Sequence, residues 1–153
     1  MAQSDEEISV SDAPTVDLIA LQQIESKLAL STDAGNWTEF LGCFVAGAEV
    51  DYGALGAGPI EKIVGLIQES QSRYQGTMNV VGTHHATLDR DRARAETYVV
   101  SHHFRLEGGQ SWDDQAGTHY LDDFVCTREG WRVERRIAQL RWFRSDASSS
   151  GWL

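Results

Sequence analysis

Five histidines stand between positions 84 and 119: His84, His85, His102, His103 and His119. Each falls in a stretch whose β-branched and aromatic texture reads as strand. Histidine changes charge near neutral pH, so such a cluster suits general acid/base work or metal binding. A carboxylate that holds one ring nitrogen completes an acid/base device. The chain offers one where an amphipathic helix stops: Asp33, in Ser31-Thr32-Asp33-Ala34-Gly35-Asn36-Trp37. Gly35 is the stop signal. Beyond it Trp37, Phe40, Leu41 and Phe44 repeat a helical spacing and set an aromatic face beside Asp33. A carboxylate there must find a partner or see its pKa rise through desolvation; the alternative is that it merely ends the helix in water.

Strand alternation sorts these residues further. Neighbours on a strand face opposite ways, so only one of His102 and His103 can face a cavity, and parity groups Tyr98, Val100, His102 and Phe104. Residues an even number apart share a face, which sets Asn79 and His85 on the same side unless a bulge intervenes. His85 is therefore a candidate base. The same opposition of adjacent histidines argues against a metal centre. Tyr52 and Tyr120 suit either packing or hydrogen bonding. Arg141 could instead pair with Asp122 or Asp123 across strands.

These groups have to be positioned by helices first and strands afterwards. Val16, Ile19, Ala20, Ile24, Leu28 and Leu30 recur at helical steps, predicting a helix from Pro14-Thr15 to about Thr32, and a second runs from Trp37 to Phe44. A short strand ends in Val50-Asp51-Tyr52, and Pro59 opens a third helix with Ile60, Ile63, Val64 and Ile67 on its buried side. Four strands follow: Thr77 to Leu88, Ala93 to Leu106, Ala116 to Thr127 and Trp131 to Phe143. Short connections make them an antiparallel meander. The class is α+β, with three helices on one face of a curved sheet.

The chain has 153 residues, 41% of them apolar, enough for a single domain over residues 15–144. Residues 1–14 are acidic and serine-rich and read as a mobile arm; 145–153 form a tail whose Gly151-Trp152-Leu153 could fold back over a cavity. With 13 basic against 23 acidic residues the formal charge is −10, which repels nucleic acid and anionic membranes. Cys43 and Cys126 lie in apolar stretches without metal-ligand spacing, consistent with a reducing cytoplasm. No leader or membrane span is apparent.

The order of elements, with Ser31-Thr32-Asp33 before Trp37, Val50-Asp51-Tyr52, Pro59 with Glu61 and Val64-Gly65, Thr77 to Gly82, His103, Gly130-Trp131 and Arg141-Trp142, resembles the SnoaL-like polyketide cyclases of the nuclear transport factor 2 superfamily. The scytalone dehydratase-like members are most similar. The resemblance implies a cone-shaped, mostly antiparallel sheet whose hydrophobic cavity the helices close. It implies catalysis by Asp33 hydrogen-bonded to His103, with Tyr52 holding a water on the substrate carbonyl, and polar lining from Thr118, Tyr120 and Arg141. Thr32 replaces a family tyrosine and Asn79 replaces the principal histidine base, which leaves His85 as the substitute. Trp37 completes the substrate-contacting set with Asn79, Thr118, Tyr120 and Arg141. The expected activity is a cofactor-independent lyase (dehydratase) or isomerase/cyclase acting on a small hydrophobic cyclic carbonyl compound, without metal. The competing expectation is a non-catalytic module that binds a small molecule or partner. Tyr98, Val100 and Phe104 on a bare outer face would favour a homodimer or homotrimer.

Overall fold

The computed structural model describes residues 13–149 and Trp152. Helix α1 spans Ala13–Ala34, and its buried line is Leu21, Glu25, Leu28 and Ser31, steps of three or four that stay on one side of a helix. Val16, Ile19 and Leu30, expected in that line, are exposed instead. Apolar residues lie all round this helix, so contact with the sheet selects the buried side. Gly35, at φ 65°, ends it in the left-handed conformation that glycine tolerates, and Asn36 N–H donates to the Ser31 carbonyl at 2.8 Å. Asn36 then caps α2, Trp37–Leu41, by accepting from Glu39 N–H at 3.2 Å.

The second helix stops short of Phe44 because the next residues join the sheet. Val133 N–H donates to the Cys43 carbonyl, and Phe44 opens β1, Phe44–Asp51. A turn at Gly53–Leu55, strand β2 at Ala57–Pro59 and helix α3 at Ile60–Gln71 follow. The meander is β3 Gly76–Asp89, β4 Arg92–Glu107, β5 Gln110–Thr127 and β6 Gly130–Ser148. Gly108 and Gly109, at φ 58° and 79°, form the two-residue turn that pairs Glu107 with Gln110, so β5 begins well before Ala116. Strand β6 runs past Phe143, and Ser145 pairs with Asp114.

The sheet order is β2-β1-β6-β5-β4-β3. All neighbours are antiparallel except β1 and β6. The result is the α+β class read from the sequence, an unclosed curved sheet with helices on its inner face. Leu21, Leu28, Phe40, Ile60, Ile63 and Ile67 pack there against Ala93, Ala95, Phe124, Trp131 and Val133. Trp131 Nε1 donates to Asp17 at 2.9 Å, pinning the start of α1 to β6. The outer face keeps Met78, Val80, Tyr98 and Trp142 exposed. Trp152 rests there against Phe104 and over Gly76, so this side chain lies away from the cavity; Gly151 and Leu153 fall outside the described residues. Most of the acidic arm, residues 1–12, falls outside the described residues. Among the described residues no helix is long and apolar enough to cross a membrane.

Within the meander, three irregularities decide which side chains point inward. The pairing shifts between Val81 and His84 on β3, and between Gly117 and Thr118 and between Asp123 and Phe124 on β5. Each interrupts the two-residue alternation.

Candidate active site

Between α1, α3, the Tyr52–Leu55 turn and the inner sheet face lies a cavity of about 380 Å³. Its walls are mostly apolar, from Leu28, Phe40, Ile67, Val81, Val99 and Phe143. Leu140 and Phe143 line it while remaining 64% and 60% exposed, which marks the open end. The polar groups gather in two clusters.

The cluster nearer the opening belongs to His103. On β4 the odd-numbered residues Ala93 to Ser101 are buried, and His103 continues that face into the cavity. The parity expectation had grouped the even set; those residues form the outer side. His103 Nδ1 lies 3.1 Å from the carbonyl of Asp114. A carbonyl only accepts, so Nδ1 carries the proton and Nε2 keeps its lone pair for the cavity. Burial lowers the imidazole pKa from the ordinary 6.5, partly offset by the Asp114 contact and by the charges of Asp114 and Asp33. The Tyr74 ring packs on it at 4.9 Å.

Asp33 belongs to the same end but does not touch that imidazole. Its oxygens accept from Thr77 Oγ1 at 2.9 Å, Asn79 N–H at 2.9 Å and Asn79 Nδ2 at 2.6 Å. Asn79 Oδ1 in turn accepts from Ser101 Oγ at 2.6 Å. The carboxylate thus orients Asn79 and Ser101, both cavity-lining, and influences His103 only through its charge. The direct Asp33–His103 hydrogen bond implied by the resemblance is absent, because Asn79 and Thr77 take the carboxylate that a histidine would otherwise share.

The deep cluster surrounds the expected Tyr52 and Tyr120 with an ion network that was not foreseen. Arg136 Nε and Nη2 hold both oxygens of Asp122 at 2.7 and 2.8 Å, and Nη2 also holds Glu25 at 2.7 and 2.8 Å. Glu25, Arg136 and Asp122 are only 2%, 3% and 3% exposed, so two carboxylates share one guanidinium out of water. Burial pushes Asp122 up to about 7; Arg136 opposes the rise and Glu25 adds to it. The Arg136 guanidinium lies 4.4 Å from the Tyr120 ring, and Tyr52 and Tyr120 meet edge to face at 6.3 Å. Burial raises both tyrosine pKa values, so both hydroxyls stay protonated and can donate.

The SnoaL-like domain family matches residues 16–137. The chain belongs to that family. An uncharacterized protein of Mycobacterium tuberculosis is 25% identical over 130 residues, 84% of this chain and 88% of the relative. Among solved structures, a proposed scytalone dehydratase from Novosphingobium aromaticivorans has 18% identity and a TM-score of 0.77 over 87% of this chain and 89% of that one. The hexachlorocyclohexane dehydrochlorinase LinA-type3 from Novosphingobium barchaimii has 14% identity and a TM-score of 0.76, covering 92% and 96%. These likenesses fix the fold.

Within this SnoaL-like cavity the structure brings together His103, Tyr52, Asn79, Thr118 and Tyr120, with Asp33 directly behind Asn79. It leaves out His85, Arg141 and Trp37. The bulge after Val81 turns His84 inward onto Thr97 at 2.9 Å and leaves His85 exposed, correcting its reading as substitute base. Arg141 occupies the irregularity between Leu140 and Trp142 and is exposed; Asp122 pairs with Arg136 instead. Trp37 packs edge-on against Phe40, which itself lines the cavity. His102 and His119 pair with Asp113 and Glu96. Among the described residues no three potential ligands cluster as a metal site.

Proposed function

We propose that the protein is a cofactor-independent lyase of the dehydratase type, or an isomerase or cyclase using the same groups, acting on a small hydrophobic cyclic carbonyl compound. The observation that carries this reading is the His103 imidazole on the cavity wall, with Nδ1 tied to a carbonyl and Nε2 free to take a proton. In the dehydration, Nε2 removes a proton from the carbon next to the carbonyl. The electron pair forms an enolate, whose oxygen accepts a hydrogen bond from the protonated Tyr52 hydroxyl. When the enolate collapses, the neighbouring C–O bond breaks. The imidazolium returns its proton to the departing hydroxyl, so water leaves, a C=C bond forms and the histidine is neutral again. Asn79 and Ser101, held by Asp33, orient the substrate from the adjoining wall.

A lowered His103 pKa supports this role, since a base must be unprotonated at working pH. The family membership and the neighbours named as dehydratase and dehydrochlorinase support a proton-abstracting elimination. A second reading, a cavity that binds without turnover, is favoured by one observation: Asp33 is fully engaged by Thr77 and Asn79, so no carboxylate directly orients the histidine. A thermal-shift screen of aromatic and bicyclic hydroxyketones, followed by product analysis of each hit, separates the two. Loss of water from a bound compound supports the lyase. Tight binding of such compounds with none converted supports the binding module.

A further inference from the structure

Among the described residues, the acidic and basic side chains lining the cavity are Glu25 and Arg136, and they are in contact with one another. Counting Asp122, the cluster holds two carboxylates and one guanidinium, so its fully ionised form carries one excess negative charge in a site that water does not screen. Arg136 is already shared out: Nε and Nη2 hold the two carboxylates, the side chain also hydrogen-bonds Tyr52, and one face is covered by Tyr120, so its pull on a third anion is opposed by two carboxylates. Other titratable groups facing the cluster include Tyr52, Tyr120 and Cys43, which burial keeps protonated, and His84 on β3, which senses Asp122 while burial holds it neutral. Elsewhere in the wall, Gln71 presents a buried side-chain oxygen without a partner. Such an acceptor is completed by a donor, not by a carboxylate.

We propose that Glu25 is the specificity-determining residue of this cavity: together with Asp122 it over-neutralises Arg136, so that the cavity takes a neutral ring compound whose hydroxyl keeps its proton and turns away the carboxylate of the same shape. The inference rests on the reading of the cavity as a small-molecule site and states the charge and donor character of what enters it. Glu25 reaches the cavity from α1, seven residues before Thr32, which lines the other end. At 1.5 Å of rise per residue the two ends lie roughly 10 Å apart, about the length of a bicyclic molecule. The discrimination has a built-in pH dependence. Below about 7 Asp122 gains a proton, the excess charge disappears and the barrier to anions weakens.

The test is calorimetric titration of the full chain with two probes of one shape, 2-naphthol and 2-naphthoate, a unit above and a unit below pH 7. Wild type is expected to bind 2-naphthol about tenfold or more tightly than 2-naphthoate at the higher pH, with the ratio narrowing at the lower. Glu25→Gln removes the excess charge with little change of shape and should cut the ratio by about tenfold; Asp122→Asn should do the same by a second route. Should either variant fail to fold, the other decides, and should both fail, the wild-type ratio and its pH dependence decide. Equal or preferred binding of 2-naphthoate, or a ratio that neither variant moves, overturns the inference alone. Binding of neither probe by wild type overturns the small-molecule reading of the cavity, and this inference with it.

Discussion

The two ends of the cavity solve the problem of buried polarity in opposite ways. Near the opening, Asp33 is surrounded by donors from Thr77 and Asn79, Asn79 is completed by Ser101, and His103 leans on a backbone carbonyl. One carboxylate faces several neutral partners, and the imidazole stays uncharged. At the deep end Glu25 and Asp122 compete for Arg136, and when both are ionised the cluster carries one excess negative charge. Neutral networks hold geometry, whereas unbalanced ion clusters set a field. In the function proposed above, the open end moves the proton and the deep end selects what is bound.

The largest effect expected is on stability at the deep end. Arg136→Ala leaves two buried carboxylates without their cation, and chemical denaturation should show a loss of about 3–5 kcal/mol. If that variant is as stable as wild type, the deep cluster is not a buried ion network. Next comes His103→Gln, which should reduce turnover of any converted substrate by about a hundredfold or more while leaving melting temperature close to wild type. Unchanged turnover would move the base away from the open end.

A smaller loss is expected for Asp33→Asn. Were Asp33 a strained catalytic carboxylate, this change would leave stability unharmed or improve it. With three donors aimed at it, including the Asn79 N–H, an amide must turn one of its own donors toward them, and a loss of about 1–3 kcal/mol should follow. The subtlest expectation concerns pH. Asp122 has a folded pKa of about 7, raised above its ordinary 3.8. Between those values the folded state binds more protons than the unfolded, so this contribution to stability is full below 3.8 and fades as pH rises through 7. Melting curves should show wild type losing ground to Glu25→Gln as pH rises through that window, since the variant lacks the competing carboxylate. A difference independent of pH would contradict Glu25 as a cause of the raised Asp122 pKa.

The open end was legible in the sequence, as were Tyr52 and Tyr120 at the deep end, but the Glu25–Arg136–Asp122 ion cluster was not, for physical reasons. Gly35 after Asp33 and the strand texture around Asn79 and His103 are local signals, and the family resemblance aligned them. Glu25 occupies the slot between Leu21 and Leu28 on the buried side of α1, but Val16, Ile19 and Leu30 suggested another side. Only the sheet's contacts distinguish the two. Arg136 was hidden by a bulge: Val133 faces inward opposite Phe124, the pairing skips Glu134, and Arg136 rather than Arg135 then faces inward opposite Asp122. The bulge after Val81 exchanged His84 for His85 in the same manner. Alternation counts residues along a strand, and one extra residue reverses it.

The proton-abstracting role of His103 meets its most direct test in a pH titration of the imidazole nitrogens by 15N NMR, with His103→Gln to assign the signals. A base-competent His103 requires a bare Nε2, a protonated Nδ1 bonded to the Asp114 carbonyl, and a titration midpoint below 6.5. A proton on Nε2 in the neutral form, or a midpoint above 6.5, would contradict it.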